Sequence, residues 1–396
     1  MSDFSVHAVL SNDDIMCDIL LRLPPETIFK LILVSKRLLQ VICGSYFRHA
    51  YLTKWKPSFH LVGFFICNTL YLGRRRDSAR RPHSEAALPL LSTSGEGDDL
   101  EAFGALKRLG YYIDSSNGVL LCGRHPKAYY VWDPDTRKSH QLPRPRVHSE
   151  ELCMAFITEE CPFEGISYKV IRAKCQCRLD ETKTVCIETY SSKTTTWSFS
   201  ILSCQHPLSL SPWTFGRVIN GVVHWYAAGG NIAIYDTNDE EKRIELVKLP
   251  SSFNYDEQAL GETSDGHLQY GCSTKSGMEI WVLEKERFGL SEPVYQWNII
   301  YKLSFKLMWR RNPTLATRFS TRTKETQLLA FIHRNSDSVF IRSDSHIFTY
   351  NSGTQTVEEV QYQGRASSFV WDFCKVVPYF RRVWPRSSLC ESRNHI

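Results

Sequence analysis

Residues 8–52 have the sequence AVLSNDDIMCDILLRLPPETIFKLILVSKRLLQVICGSYFRHAYL, whose pattern of apolar and polar residues differs from that of the rest of the chain. Large aliphatic residues recur there at helical spacing, as Ile15, Ile19, Leu20 and Leu23 do, and this pattern is typical of amphipathic helices. We predict two or three helices. So small a bundle cannot bury all of these side chains internally, and we therefore expect the surplus to face a partner.

The ends of the first two helices carry their own signals. Ser11 followed by Asp14 has the spacing of a capping box, in which side-chain oxygens satisfy the first backbone N–H groups. Pro24 lacks a backbone N–H and ends the first helix. Pro25 suits the first position of the second helix, because no N–H is needed there.

These residues, in this order, resemble an F-box, the short helical module that docks a substrate receptor onto the Skp-family adaptor of a cullin-based ubiquitin ligase. The resemblance is carried by Leu10, Asp14-Ile15, Ile19-Leu20, Arg22-Leu23-Pro24, Val34-Ser35-Lys36, Ile42 and Phe47. Ser11 stands where the family usually has proline, and Leu38 where plant members usually have tryptophan. The adaptor-binding surface that the resemblance implies comprises Leu10, Ile15, Ile19, Leu20, Leu23, Pro24, Ile28, Leu31 and Val34.

From Tyr111 to Val377 the sequence has the texture of short β-strands, rich in β-branched and aromatic residues and broken by turn residues. A strand begins directly after a turn glycine in SSNGVLLC (115–122), VINGVVHW (218–225) and TSDGHLQYG (263–271). A second strand then ends in an aromatic residue before a polar hairpin. The unit repeats irregularly, with 45 residues between Gly221 and Gly266.

An all-β repeat of this length has the size of one four-stranded propeller blade. We therefore predict an α+β multidomain chain: a small helical F-box over residues 8–52, then an all-β domain over 57–385, most simply a β-propeller of six or seven blades. A pair of two-sheet sandwiches is the structural alternative. Residues 73–100, with five arginines and then small residues, are predicted to be a long exposed mobile loop.

The β region also resembles the F-box-associated domain that follows the F-box in a large plant family. The matching stretches are SSNGVLLC, WDPDTRKSHQLP, SYKVIR, IETYSSKTTTW, INGVVHW, IAIYDTNDEEKRIELVKLP and EIWVLEKE, in the family's order. The resemblance implies a kelch-like propeller that recognises a target protein. Together with the F-box it implies a non-catalytic subunit that joins a Skp-family adaptor, and through it a cullin, to an unknown target for ubiquitination and proteasomal degradation.

Length, composition and charge argue against a nucleic-acid-binding, membrane or secreted protein. The chain has 396 residues, 42% of them hydrophobic, and a net charge of +6, which does not indicate a nucleic-acid partner. No apolar run is long enough for a membrane span, and the N-terminus does not have the pattern of a secretory signal. We expect a protein of the nucleus, the cytoplasm or both, with its thirteen cysteines reduced. The arginines of 73–100 fit an import signal or an anion patch, but also a solvated loop.

Residues with catalytic or ligand-binding chemistry give only weak signals. Cys175 and Cys177 are the best metal candidates, but a structural zinc site needs a second pair at a set distance. His224 lies in an alternating strand and is predicted to be a packed histidine. No nucleophile elbow or phosphate-binding loop is present. We predict no catalytic residue, no cofactor and no resident metal.

Two other classes of function remain as alternatives. One is a propeller that binds or converts a glycan or small molecule, with the helices as a cap. The other is a nucleic-acid reader that uses residues 12–48 as a helix-turn-helix, although the seven basic and five acidic side chains of residues 1–56 do not make a basic stripe. Separately, basic residues from Arg310 to Lys324, with Trp309 and Phe319 for stacking, fit a positive face, but solvated hairpin charge is the better interpretation. We expect neither nucleic acid nor membrane among the partners.

Overall fold

The computed structural model of the chain describes residues 12–54, 59–68, 90–92, 106–124, 128–134, 136–147, 149, 151–161, 165–175, 182–211, 216–250, 258–286, 294–318, 326–333, 335–343, 346–361 and 374–382. Helices fill the first of these ranges, and strands fill most of the others. No helix within these ranges has the length and apolar character that a bilayer span requires.

The N-terminal module consists of four helices: α1 (Asp13–Leu20), α2 (Pro25–Ile32), α3 (Lys36–Cys43) and α4 (Ser45–Lys54). Their shared core is formed by Met16, Cys17, Leu20, Ile28, Ile42, Phe47 and Tyr51. The predicted break is confirmed, because α1 ends before Pro24 and Pro25 is the first residue of α2. The module has four helices where two or three were expected.

The cap of α1 differs from the prediction. Asn12 caps the helix: its side-chain oxygen accepts hydrogen bonds from the backbone N–H groups of Asp14 at 2.9 Å and Ile15 at 3.3 Å. An N-cap side chain reaches the second and third N–H groups of its helix, and Asn is among the residues preferred there. Ser11, the predicted cap, lies outside the described residues.

The β domain begins at β1 (Phe59–Asn68), and its described strands form hydrogen-bonded sheets. One sheet has the order β2-β1-β23, with β2 (Leu90–Ser92) and β23 (Cys374–Arg382) on either side of β1. The remaining strands are β3 (Tyr111–Ser116), β4 (Val119–Arg124), β5 (Ala128–Asp133), β6 (Lys138–Gln141), β7 (Leu152–Cys161), β8 (Gly165–Lys174), β9 (Thr184–Ser191), β10 (Thr196–Cys204), β11 (Arg217–Ile219), β12 (Val222–Ala227), β13 (Asn231–Asp236), β14 (Arg243–Lys248), β15 (Gln258–Glu262), β16 (Leu268–Ser273), β17 (Gly277–Glu286), β18 (Val294–Ser304), β19 (Thr326–Phe331), β20 (Ser338–Ser343), β21 (His346–Asn351) and β22 (Thr356–Glu359).

These later strands pair in antiparallel sets of four: β3–β6, β7–β10, β11–β14, β15–β18 and β19–β22. The second and third of these sets join into one eight-stranded sheet, but only through two parallel residue pairs, Ser203 with Arg243 and Cys204 with Ile244. We therefore count them as separate blades. With the sheet around β1, the described strands make six blades.

The hydrophobic core is divided among the interfaces between blades. Six apolar clusters join successive blades: for example, Phe156 and Tyr168 of the third blade pack with Leu121 and Val131 of the second. The last and first blades meet in the same way, through Phe340 and Phe64. Each twisted sheet thus buries both faces against its neighbours, which a single sheet cannot do alone. This closed ring is a β-propeller, and the sandwich alternative is wrong.

Two parts of the β domain depart from the predictions. Residues 305–318, expected to be strand or loop, form helices α6 (Phe305–Arg311) and α7 (Pro313–Arg318), after the short α5 (Leu106–Leu109). Residues 90–92, inside the predicted loop over 73–100, form β2 and pair with β1. The rest of that predicted loop lies outside the described residues.

Candidate functional site

Exposed large apolar side chains are concentrated in the helical module relative to its length. Of the twelve exposed large hydrophobic residues among those described, six lie within residues 12–54. We call this set the exposed apolar face; its members are Ile15, Ile19, Leu33, Val34, Leu39 and Tyr46. Large apolar side chains exposed in such number on so small a module mark a candidate interaction site, whereas scattered single residues do not.

The helical period explains why this face points outward. Along α1, Met16 and Leu20 are directed into the core, and the 100° turn per residue then leaves Ile15 and Ile19 43% and 47% exposed. Leu33 follows the last turn of α2 and is 83% exposed, the highest value of the set. The module therefore keeps large apolar side chains at its surface in addition to those that fill its core.

Contacts beneath the face hold the helices in position. The Tyr51 hydroxyl donates a hydrogen bond of 2.6 Å to the carbonyl oxygen of Leu23, which joins α4 to the turn between α1 and α2. Burial raises the pKa of Tyr51 to about 12, so this donor stays protonated at neutral pH. At the surface Arg37 of α3 and Asp13 of α1 form an ion pair of 2.8 Å. Since that pair is exposed, it contributes little stability.

The predicted adaptor-binding residues have different positions in this module. Ile15, Ile19, Pro24 and Val34 are exposed, whereas Leu23 and Leu31 are partly covered. Leu20 and Ile28 are buried in the core, where they support the exposed residues from beneath, and their contact with an adaptor stays a prediction. Leu10 lies outside the described residues.

Three members of the face were missed from the sequence: Leu33, Leu39 and Tyr46. Leu33 directly precedes Val34, so the same turn exposes both side chains. Tyr46 precedes the buried Phe47 by one residue in α4, and the helical period could have shown that neighbours so placed face in different directions.

Cys175, His224 and Trp309 are packed in the core, whereas Arg310 and Arg311 are exposed and Phe319 lies outside the described residues. The Cys153 and Cys175 sulfurs lie 3.5 Å apart in the core, and no three His, Cys, Asp or Glu residues in the described ranges are grouped to hold a metal. Cys177 lies outside those ranges. Burial lowers the pKa of His224 to about 4, so the ring is neutral and packed. Trp309 is buried and donates to the Thr326 hydroxyl at 3.0 Å, which leaves no open ring face for a base.

Comparison with known proteins agrees with this division of the chain. A family model described as "F-box domain" matches residues 12–50, and one described as "F-box protein At3g26010-like, beta-propeller" matches residues 100–323. The propeller is thus of the At3g26010-like type, and its description as kelch-like stays a prediction.

Whole-chain relatives give the same result. The chain is 61% identical over 391 residues to "F-box protein At5g03970" of Arabidopsis thaliana, covering 99% of this chain and 92% of that protein. It is 24% identical over 330 residues to "F-box protein At5g07610" of the same plant, covering 77% of this chain and 73% of that protein. The chain therefore belongs to the plant F-box proteins, in the group whose F-box is followed by an At3g26010-like β-propeller.

Proposed function

We propose that this protein is the substrate-recognition subunit of a Skp-cullin-F-box ubiquitin ligase. The observation that carries the proposal is the exposed apolar face of the F-box. Burying a large aliphatic side chain is worth about 1.5–3 kcal/mol, so a few such residues suffice for a stable contact with an adaptor. F-box proteins in general act as non-catalytic adaptors, and the proposed partners are a Skp-family protein and, through it, a cullin.

The propeller has the second role in this proposal: it holds the target protein. Loops on a rigid scaffold are where binding residues concentrate, and a ring of six blades is such a scaffold. The bound conjugating enzyme carries out the ubiquitin transfer. The F-box protein contributes proximity, because it holds target lysines near the reactive thioester. For this role we propose that the protein works in the nucleus, the cytoplasm or both.

The adaptor contact is tested with two aspartate variants of the tagged full-length chain. Leu33→Asp places a charge in the exposed apolar face, where no core packing is disturbed. Ile201→Asp is the matched control, because Ile201 is 55% exposed on β10 of the propeller. We expect Leu33→Asp to weaken binding to a purified Skp-family adaptor by about tenfold or more, since a charge would be desolvated in the contact. The control should stay within about twofold of the unmodified chain.

Calorimetry with the purified adaptor measures these affinities, and co-purification from plant cells with the proteasome inhibited tests for the cullin and the target. An unmodified chain that binds no Skp-family adaptor would overturn the proposal. Equal binding by Leu33→Asp and the unmodified chain would place the contact elsewhere on the F-box.

A further inference from the structure

The axis of the propeller holds a cavity of about 500 Å³. Residues from β3, β7, β11, β15, β19 and β23 line it, so the innermost strand of every blade contributes. Its volume falls in the range of about 300–1,000 Å³ that is usual for small-molecule sites. The proposed ligase function makes no use of this cavity.

One guanidinium group lies at the cavity wall with part of its hydrogen-bonding capacity unused. Arg217 donates from Nη2 to Nδ1 of His333 at 2.8 Å, and the same nitrogen lies 3.5 Å from Oε2 of Glu262. Since arginine can only donate, Nδ1 of His333 is the acceptor in this contact, and it also lies 3.8 Å from Oε2 of Glu262. The Nε atom of Arg217 is buried, and no atom of the described residues accepts a hydrogen bond from it. That atom is closed to solvent, but the Arg217 side chain as a whole is 32% exposed, so its outer N–H groups can donate to an acceptor brought by a ligand.

Carboxyl groups face the same cavity. Glu262 on β15 is buried. Asp114 on β3 accepts hydrogen bonds from the backbone N–H groups of Ser115 at 2.8 Å and Phe156 at 3.1 Å. Burial raises the pKa of Asp114 to about 7, although the two backbone donors and the charge of Arg217 oppose the rise. A positively charged group in the cavity would offset the cost of keeping these carboxylates ionised.

We propose that this cavity binds a small zwitterion of the amino-acid type. Its carboxylate would lie against Arg217, and its ammonium group against Glu262 and Asp114. The wall carries both signs of charge, and a zwitterion presents a complementary charge to each of them. Hydroxyl and amide groups of Ser116, Thr158, Asn220 and Asn238 also line the cavity and suit a polar ligand.

The first test uses the full-length chain and free L-amino acids. Each of the twenty, at about 10 mM, is added in a thermal-unfolding assay, since a ligand that binds only the folded state raises the melting temperature. We expect one or a few to raise it. For these, calorimetry compares the amino acid with its α-amide, which lacks the carboxylate, and its N-acetyl derivative, which lacks the ammonium group. Each derivative should bind at least about tenfold more weakly.

A variant pair locates the site. Glu262→Gln keeps the size of the side chain and removes its charge, and it should weaken binding of the amino acid by about tenfold or more. Glu284→Gln, on the exposed end of β17, is the control and should leave binding unchanged. If Glu262→Gln fails to fold, the binding of the two ligand derivatives to the unmodified protein still tests the proposal. The proposal fails if no amino acid raises the melting temperature, if the derivatives bind equally well, or if folded Glu262→Gln binds like its control.

Discussion

Arg172 and Glu188 form an ion pair that is almost fully shut off from solvent, with side-chain exposures of 0% and 3%. The second Glu188 oxygen accepts hydrogen bonds from the backbone N–H groups of Arg146 and Val147, both at 2.9 Å. The guanidinium carbon lies 5.3 Å from the centre of the Tyr129 ring. The pair thus holds the connection between the second and third blades in place. Each buried charge is compensated by the other, so removal of either leaves the other without a counter-charge.

Glu188→Gln should destabilise the propeller strongly. The substitution keeps the shape of the side chain but leaves Arg172 as a buried charge without a counter-charge, which costs about 3–5 kcal/mol. Urea unfolding followed by tryptophan fluorescence measures the loss. Glu241→Gln is the control, because its ion pair with Arg243 is exposed and should contribute less than about 1 kcal/mol. If both variants lose the same free energy of unfolding, the buried pair contributes no more stability than the exposed one.

Asp114 should make stability depend on pH. Its pKa in the folded chain, about 7, lies above the ordinary value of 3.8, so the folded state holds a proton that the unfolded chain releases between these values. Stability is therefore lost as the pH rises through this window, by at most about 1.4 kcal/mol per pH unit. Asp114→Asn cannot ionise and escapes this loss.

The measurement is the difference in melting temperature between Asp114→Asn and the unmodified chain. We expect it to shift in favour of the variant from about pH 5 to about pH 8. The variant also loses an acceptor for one backbone N–H group, but that cost does not vary with pH. Asp265→Asn, in an exposed turn, should show a flat difference. A flat difference for Asp114→Asn as well would mean that its carboxyl group ionises normally.

Among the hairpins, the inner turns were predictable and the outer ones only in part. Asn117-Gly118 and Asn220-Gly221 have positive φ at both residues, from 48° to 80°, as a two-residue hairpin turn requires. Asn-Gly is the strongest sequence signal for that turn, so the sequence predicts where β4 and β12 begin. The outer hairpins instead place Arg137, Thr195, Lys242 and Gln355 at positive φ. None of these residue types favours positive φ, so these turns could not be predicted from the residues.

The helices show the same contrast. Phe305, Met308 and Trp309 follow the helical period and are all buried in α6, so this helix could have been predicted from its spacing. The short length of the pattern, in a region of strands, hid it. On α1 the period identified an amphipathic helix, and Ile15 and Ile19 are exposed, as expected for a partner-binding surface, but Leu20, predicted for the same surface, is buried. Which apolar stripe faces the core depends on the packing of α3 and α4, and this is tertiary information.

Which strands close the ring is the property of the whole molecule that the sequence did not reveal. β1 and β23 lie at opposite ends of the propeller sequence, yet they pair over nine residue positions. The sequence predicted repeated blades from local turns, but no local signal joins two strands so far apart. The cavity on the axis was unpredictable for the same reason, because Asp114, Arg217, Glu262 and His333 come from four different blades.

Tyr379 on β23 tests whether the ring acts as one unit. Its ring is fully buried against Phe65, and its hydroxyl donates a hydrogen bond of 2.7 Å to the carbonyl oxygen of Gly118 in the next blade. Tyr379→Ala should cost about 3–5 kcal/mol through the cavity it creates, and Tyr379→Phe only about 1 kcal/mol through the lost hydrogen bond. Tyr46→Ala, at an exposed site, should stay within about 0.5 kcal/mol.

Hydrogen exchange distinguishes a local effect of Tyr379→Ala from a global one. Each blade buries its faces only against its neighbours, so a weakened first blade should loosen both the second and the sixth. We therefore expect faster amide exchange in β4 and β20 as well as in β1 and β23, while α1 and α3 keep their protection because the F-box has its own core. Faster exchange confined to β1 and β23 would contradict this expectation, because the blades would then be stable independently of the closed ring.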